Sequence, residues 1–191
     1  MTEADHSSAD AEPAPQSNHR RGLLLGAGLL AASAGVGFAW WQAQSKTPTA
    51  SDEPFAGFWD LHWDSPRGAA VHLQAFRGKP LLINFWATWC PPCIEELPLI
   101  NAFFNKNTAN GWQVLGLAID KLSSVQGFLQ KMPLDFPVAM AGLDGSEVAK
   151  RLGNPSGALP FSVVVGSQGG ILQRKLGRLH AADLDLWAQL K

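Results

Sequence analysis

The sequence is poor in cysteine: among 191 residues there are two, Cys90 and Cys93. Two cysteines exclude a disulfide-stapled scaffold. A bridge across two intervening residues also closes too short a loop to add much chain-entropy stabilisation. If the two pair, they pair for chemistry. Charge of one sign is missing too: 15 basic side chains meet 16 acidic ones, for a formal net charge of −1. That balance argues against nucleic acid as a partner, because a general binder needs Lys and Arg gathered on one face. No internal repeat occurs. His6 and His19 precede the region that reads as folded, and His62, His72 and His180 show no H-x-x-x-H pairing. With no third cysteine, a closed zinc site lacks ligands. A c-type haem attachment would need histidine directly after Cys93, where Ile94 stands. Neither a metal nor an organic cofactor is expected.

Apolar residues are plentiful, at 46% against 16% charged, which is enough for a packed core. Residues 1–21 are rich in Ala, Ser, Pro and acids without hydrophobic periodicity, and read as a disordered tail. Gly22 to Trp41 carries no charge. At ~1.5 Å per residue, a helix of that length spans the ~30 Å hydrocarbon core of a bilayer. Trp40 and Trp41 suit the far interface, and Arg20 and Arg21 flank the near side. The positive-inside rule then leaves the tail in the cytoplasm and the remainder across the membrane. A buried core helix would show a polar face, and this run has none. A cleaved export signal also competes, since "HRRGLLLG" loosely resembles a twin-arginine signal. No clear A-x-A site follows, and Ala43-Gln44-Ser45 is a poor substitute, so an uncleaved anchor is favoured. Either way the domain reaches the same compartment. Residues 42–54 are polar and read as a linker, and residues 55–191 form one folded domain.

Within that domain the pattern alternates. Phe58–Trp63 and Ala70–Leu73, separated by "DSPRGA", read as a hairpin. "LLINFW", Leu81–Trp86, and "QVLGLAI", Gln113–Ile119, are continuous apolar runs that suit buried strands. Between them a helix starts at the cysteines, with Ile94, Leu97, Ile100 or Asn101, and Phe104 at helical spacing. Ser123–Met132, with Ser123 as N-cap, and Ser146–Leu152 read as further helices. Phe161–Val165 and Ile171–Leu176 read as a second hairpin around "SQGG", and Ala181–Leu190 as a closing amphipathic helix. Alternation first and a hairpin last predict an α/β fold: a mixed central sheet flanked by helices on both faces.

Pro91 and Pro92 suit the first turn of a helix, so Cys90 falls at its N-terminus, just past a strand. The partial positive charge and free N–H groups of a helix start favour a thiolate, the nucleophile of disulfide exchange. Cys93, one turn on, is placed to resolve a mixed disulfide. Trp89 and Pro91 offer an apolar rim for a partner chain.

The stretch "LLINFWATWCPPCIEELP" resembles the active-site segment of the thioredoxin superfamily. More narrowly, with the first hairpin, "GKP" and the Asn-Phe-Trp-Ala strand end, it resembles the membrane-anchored, periplasm-facing TlpA/ResA-type oxidoreductases. The resemblance covers about Phe55 to Lys191. It implies a thioredoxin-like fold with an N-terminal β-hairpin and, in Asp135–Ala158, an inserted strand and helix. It implies Cys90 as attacking and Cys93 as resolving cysteine, working as a redox-active disulfide. Pro98 matches the proline that kinks the active-site helix by deleting the bond to the Ile94 carbonyl. Pro160 matches the family's cis-proline, and Leu159 before it would offer backbone groups to a client strand. Trp89, Pro91, Pro92, Leu159 and Pro160 are thus the expected substrate groove. Asn84 stands where cytosolic thioredoxins carry a buried aspartate, as is usual in this branch. Glu96 matches the branch's acidic residue past the cysteines. It competes with a reading as a solvated helix-face carboxylate, which is how Glu95 reads.

The expectation is a protein-disulfide reductase, single-pass in a bacterial inner membrane, with its domain in the periplasm. Its partners would be client proteins bearing disulfides or thiols, such as apocytochrome c or copper-site cysteines, and a membrane electron donor of thiol–disulfide type. The alternatives are a thioredoxin-fold peroxidase and a non-catalytic binding module. The peroxidase pattern needs Thr three residues before the cysteine, where Ala87 stands.

Overall fold

A computed structural model describes residues 54–190. The expected tail, the Gly22–Trp41 anchor and nearly all of the linker lie outside the described residues. Among those described, no helix is long and apolar enough to cross a membrane.

Strand β1 (His62–Asp64) pairs antiparallel with β2 (Ala70–His72) as the predicted hairpin, but shorter than its apolar runs suggest. Phe58–Asp60 and Leu73–Phe76 are 3-10 turns instead. Gly57, at φ 83°, bends the chain into the first turn, and Phe58 is buried edge-on between Phe55 and Trp59. Aromatic anchoring therefore replaces extension there.

The main sheet has the order β5-β4-β3-β6-β7, with β3 (Leu81–Trp86), β4 (Gln113–Ala118), β5 (Val138–Met140), β6 (Phe161–Val165) and β7 (Ile171–Leu176). The pairs β3/β4 and β4/β5 are parallel; β3/β6 and β6/β7 are antiparallel. The mixed sheet is as expected. Strand β3 is central and buried along its whole length, which is why its sequence is an unbroken apolar run apart from Asn84. β5 is only three residues long and was expected only through the resemblance, as the strand of the central insertion.

Helix α1 (Pro91–Asn107) follows β3, α2 (Leu122–Lys131) follows β4, α3 (Gly142–Arg151) follows β5, and α4 (Ala181–Trp187) follows β7. α2 starts before Ser123, so that serine lies in the first turn and caps nothing. α3 starts four residues earlier than predicted, and α4 stops at Trp187 rather than Leu190. On α1 the buried stripe is Cys93, Glu96, Leu97, Ile100, Phe103 and Asn107. The predicted stripe is offset from this one, and Ile94 and Phe104 are half-buried at its margin.

α1, α2 and α4 pack on one face of the sheet, around Leu82, Trp86, Val114 and Val164. α3 and the two 3-10 turns cover the other, around Ile83, Phe85, Leu115 and Phe161. The alternation along β3 sends Asn84 to the α1 side. That places a polar residue under the helix that begins at the cysteines.

Candidate active site

β3 ends at Trp86, whose carbonyl accepts from Ile119 N–H at 2.9 Å. The chain then turns through Ala87-Thr88-Trp89 to reach Cys90. Asp120, just past β4, holds this turn. Its Oδ2 accepts from the Thr88 backbone N–H at 2.8 Å and from the Thr88 hydroxyl at 2.6 Å. Its Oδ1 accepts from Lys121 N–H at 2.6 Å. Partial burial pushes the Asp120 carboxyl up, but the Thr88 and Lys121 donors outweigh it and hold the group below the usual aspartate range. Sequence reading missed Asp120. The available signal was an acid at the carboxyl end of an apolar parallel strand, where sites gather in α/β sheets.

Cys90 is the N-cap of α1 in extended conformation, and Pro91 and Pro92 fill the first two helical positions. Cys90 and Cys93 are disulfide-bonded, with Cα atoms 5.3 Å apart. Cys93 is fully buried, whereas Cys90 retains 4% exposure. Any attack from outside therefore meets Cys90 first. The expectation of free first-turn N–H groups needs correction. Two of those positions are proline and have no N–H, and Ile94 N–H is already bonded to the Cys90 carbonyl at 3.2 Å. The Cys93 N–H remains.

Glu96 is fully buried, which excludes its reading as a solvated helix-face carboxylate. Its Oε1 accepts from Asn84 Nδ2 at 2.7 Å and its Oε2 from Leu179 N–H at 2.5 Å. The second Nδ2 hydrogen of Asn84 goes to Ser162 Oγ at 2.9 Å, and Asn84 Oδ1 is buried without a partner. Burial pushes the Glu96 pKa up to about 7 against the opposing pull of Leu179 N–H, Asn84, Arg178 and Lys175. Glu95, its neighbour, is exposed as predicted, and it is ion-paired to Arg178.

Trp89 is 65% exposed, Pro91 is exposed and Pro92 half-buried, so all three border the disulfide at the surface. The Leu159–Pro160 peptide bond is cis, as expected. The β3/β6 register pairs Phe85 with Phe161, which sets Pro160 and Leu159 beside the stretch that leads into Cys90. Leu159 is half-buried and Pro160 buried, with its carbonyl accepting from Gly177 N–H at 2.8 Å. The fold thus gathers every predicted site residue at one end of the sheet. Among the described residues, no three His, Cys, Asp or Glu side chains are grouped to hold a metal. The Thr88 hydroxyl, one position off the peroxidase pattern, is committed to Asp120.

The Redoxin family model matches residues 42–186. A thiol–disulfide oxidoreductase, ResA, of Bacillus cereus is 31% identical over 162 residues, covering 82% of this chain and 88% of the relative. ResA of Bacillus thuringiensis is 32% identical over 119 residues, covering 62% of this chain and 66% of the relative. The crystal structure of a thioredoxin-family thiol:disulfide interchange protein from Chlorobium tepidum superposes with a TM-score of 0.60 at 25% identity. It covers 68% of this chain and 90% of that one.

Proposed function

The chain belongs to the Redoxin family and is a protein thiol–disulfide oxidoreductase, and from that premise we propose that it works as a reductant of client disulfides. The observation that carries this direction is the pair of prolines in the first turn of α1. A strongly oxidising dithiol is one whose reduced form is stabilised. Here two of the N–H donors that would stabilise a Cys90 thiolate are absent. The reduced form is held less firmly, and electrons pass more readily to a client.

The reaction runs in two exchanges. The Cys90 thiolate attacks a client sulfur, a Cys90–client disulfide forms, and the other client sulfur leaves as thiolate. Cys93 then loses its proton, attacks the Cys90 sulfur, and closes the intramolecular disulfide as the client's second thiolate departs. Two electrons move from the Cys90–Cys93 pair to the client. Glu96 is the proposed acceptor of the Cys93 proton. Residues three apart on a helix are neighbours, with Cβ atoms about 5–6 Å apart, and a group titrating near neutrality can take and return a proton. Asn84, which cannot ionise, leaves that task to Glu96. Trp89, Pro91 and Pro92 form the rim on which the client lies, and Leu159 and Pro160 offer the strand edge beside it.

The uncharged Gly22–Trp41 run supports tethering to an inner membrane with the domain in the periplasm. There, disulfides form readily and a reductant needs recharging. A membrane dithiol donor would supply the electrons, and apocytochrome c or copper-site thiols are suitable clients.

The reduction potential tests the direction. A value near thioredoxin's, about −270 mV, is expected, and one near about −120 mV would make the protein an oxidant. Insulin reduction should follow the potential and vanish in Cys90→Ser.

A further inference from the structure

Three consecutive residues between β7 and α4 are bonded to the cis-proline, to Glu96 and to its neighbour Glu95. Gly177 N–H is bonded to the Pro160 carbonyl at 2.8 Å, and Leu179 N–H to Glu96 Oε2 at 2.5 Å. Between them the Arg178 guanidinium is ion-paired through Nη1 to Glu95 Oε2. The segment is tightly constrained. Gly177 sits at φ 92°, a backbone conformation that side chains resist. Directly after the segment, His180 N–H is bonded to Asp183 Oδ2 at 2.7 Å at the start of α4. Of the three contacts, two are made by backbone atoms, which no substitution except proline deletes but whose positions depend on what holds the segment. The third is the Arg178 side chain, whose Nε is buried without a partner. A half-exposed arginine with a buried, unpaired Nε is held in place from its far end, by Glu95.

We propose that Arg178 is a positioning residue for client reduction: pinned by Glu95, it fixes the Gly177–Leu179 segment so that Leu179 N–H meets Glu96 and Glu96 can receive the resolving cysteine's proton. The inference rests on the reading of Glu96 as that acceptor.

The groups facing Glu96 account for the effect. From β3 comes Asn84 Nδ2, itself shared with Ser162 of β6. From β7 comes the charge of Lys175, which is shared with Asp183 of α4 at 2.6 Å. From the intervening segment come Leu179 N–H and the Arg178 charge. Against all of these stands burial, which favours the neutral acid. Freeing the segment removes a donor and moves a cation away together. Both changes favour the protonated acid, which cannot accept a second proton.

The test follows the protonated-carboxyl infrared band of the oxidised full chain against pH, beside the pH profile of turnover with a disulfide client. Glu96→Gln should abolish the band's titration near neutrality. Arg178→Gln should move its midpoint up by about one pH unit, lower kcat at neutral pH several-fold with KM little changed, and leave the melting temperature near the parent's. Arg178→Lys should recover part of the shift. Glu95→Ala, which releases Arg178 without altering it, should also move the midpoint up, by less. An unmoved midpoint in Arg178→Gln overturns the proposal while leaving Glu96 as acceptor. So does a lowered midpoint in Glu95→Ala, the result of simply deleting a nearby negative charge. If the titration persists in Glu96→Gln, the acceptor reading fails and the role of Arg178 falls with it.

Discussion

The two faces of the main sheet are built to different standards. On the α3 side, the buried residues of β3 and β6 are Leu81, Ile83, Phe85, Phe161, Val163 and Val165, all apolar. On the α1 side, the same two strands present Asn84 and Ser162, a registered cross-strand pair, and α1 lowers a carboxyl group onto them. A buried carboxyl and a half-satisfied amide each cost stability that an apolar residue would not. The cost falls in one place, beneath the helix that begins at Cys90. One face therefore holds the sheet together, and the other gives up some of that cohesion to keep a titrating group beside a disulfide.

The largest effects should separate the faces cleanly. Ile83→Ala, on the apolar face, should cost about 2–5 kcal/mol in unfolding free energy and leave the thiol chemistry of the surviving folded protein unchanged. Cys90→Ser, on the other side, should abolish client reduction with little effect on the stability of the reduced protein. Cys93→Ala should accumulate mixed disulfides with clients, visible on non-reducing gels. If Ile83→Ala altered the pH profile of turnover, the division between faces would fail.

Glu96→Gln comes next, because it probes cost and use together. Folding raises the Glu96 pKa from the ordinary 4.5 to about 7. Between those values the folded state keeps a proton that the unfolded state has lost, so stability must fall as pH rises through that window. Across it the loss is roughly 3 kcal/mol, at 1.36 kcal/mol per unit. Glu96→Gln should flatten that slope, so that denaturant midpoints at pH 4 and pH 8 differ less than in the parent. Turnover should slow at the resolving step. A parent whose stability rises from pH 4.5 to 7 would refute the buried-acid assignment. Asn84→Asp should act the opposite way to a simple deletion. It sets a second carboxyl against Glu96, and the pair should hold a shared proton to higher pH, shifting the turnover profile upward.

The strength of these signals in the sequence follows from how local they are. β3, β4 and β6 were legible because a buried strand needs an apolar run, β7 as the hairpin partner of β6 across "SQGG", and α1 because two prolines mark a helix start. The cysteine pair carried its chemistry in its spacing. Glu96 was visible through the resemblance and through Asn84, although its complete burial was not. What stayed hidden depends on residues distant in the chain. Ser162 meets Asn84 across 78 positions, and Leu179 and Arg178 meet the two glutamates across 83. No window of periodicity spans such gaps. β5 is too short to leave a pattern, and the Phe58 turn looks like a strand because buried aromatics serve both.

The smallest expected effect belongs to Asp120, at the edge of the polar face where β3 hands over to Cys90. Its carboxylate accepts both Thr88 donors on one oxygen, and those bonds set where Trp89 and Cys90 lie without touching a client. Asp120→Asn keeps the shape and one acceptor oxygen but loses the charge that strengthens each bond. The turn should loosen rather than collapse. KM for a protein client should rise severalfold, well short of the roughly 100-fold that a displacement of about 1 Å at the reacting atoms can cost, while the pH dependence set by Glu96 stays where it was. Acid stability gives a second reading. The Asp120 pKa is lowered on folding from 3.8, so its contribution is present above that value and is lost as pH falls through the folded one. Asp120→Asn should therefore remove part of the parent's loss of stability below pH 4, in the window where Glu96 is already protonated in both states. Comparing melting temperatures of parent and variant at pH 3 and pH 6 checks this. A variant that loses equal stability at both pH values would mean that Thr88 is held by the shape of the turn and not by the charge of Asp120.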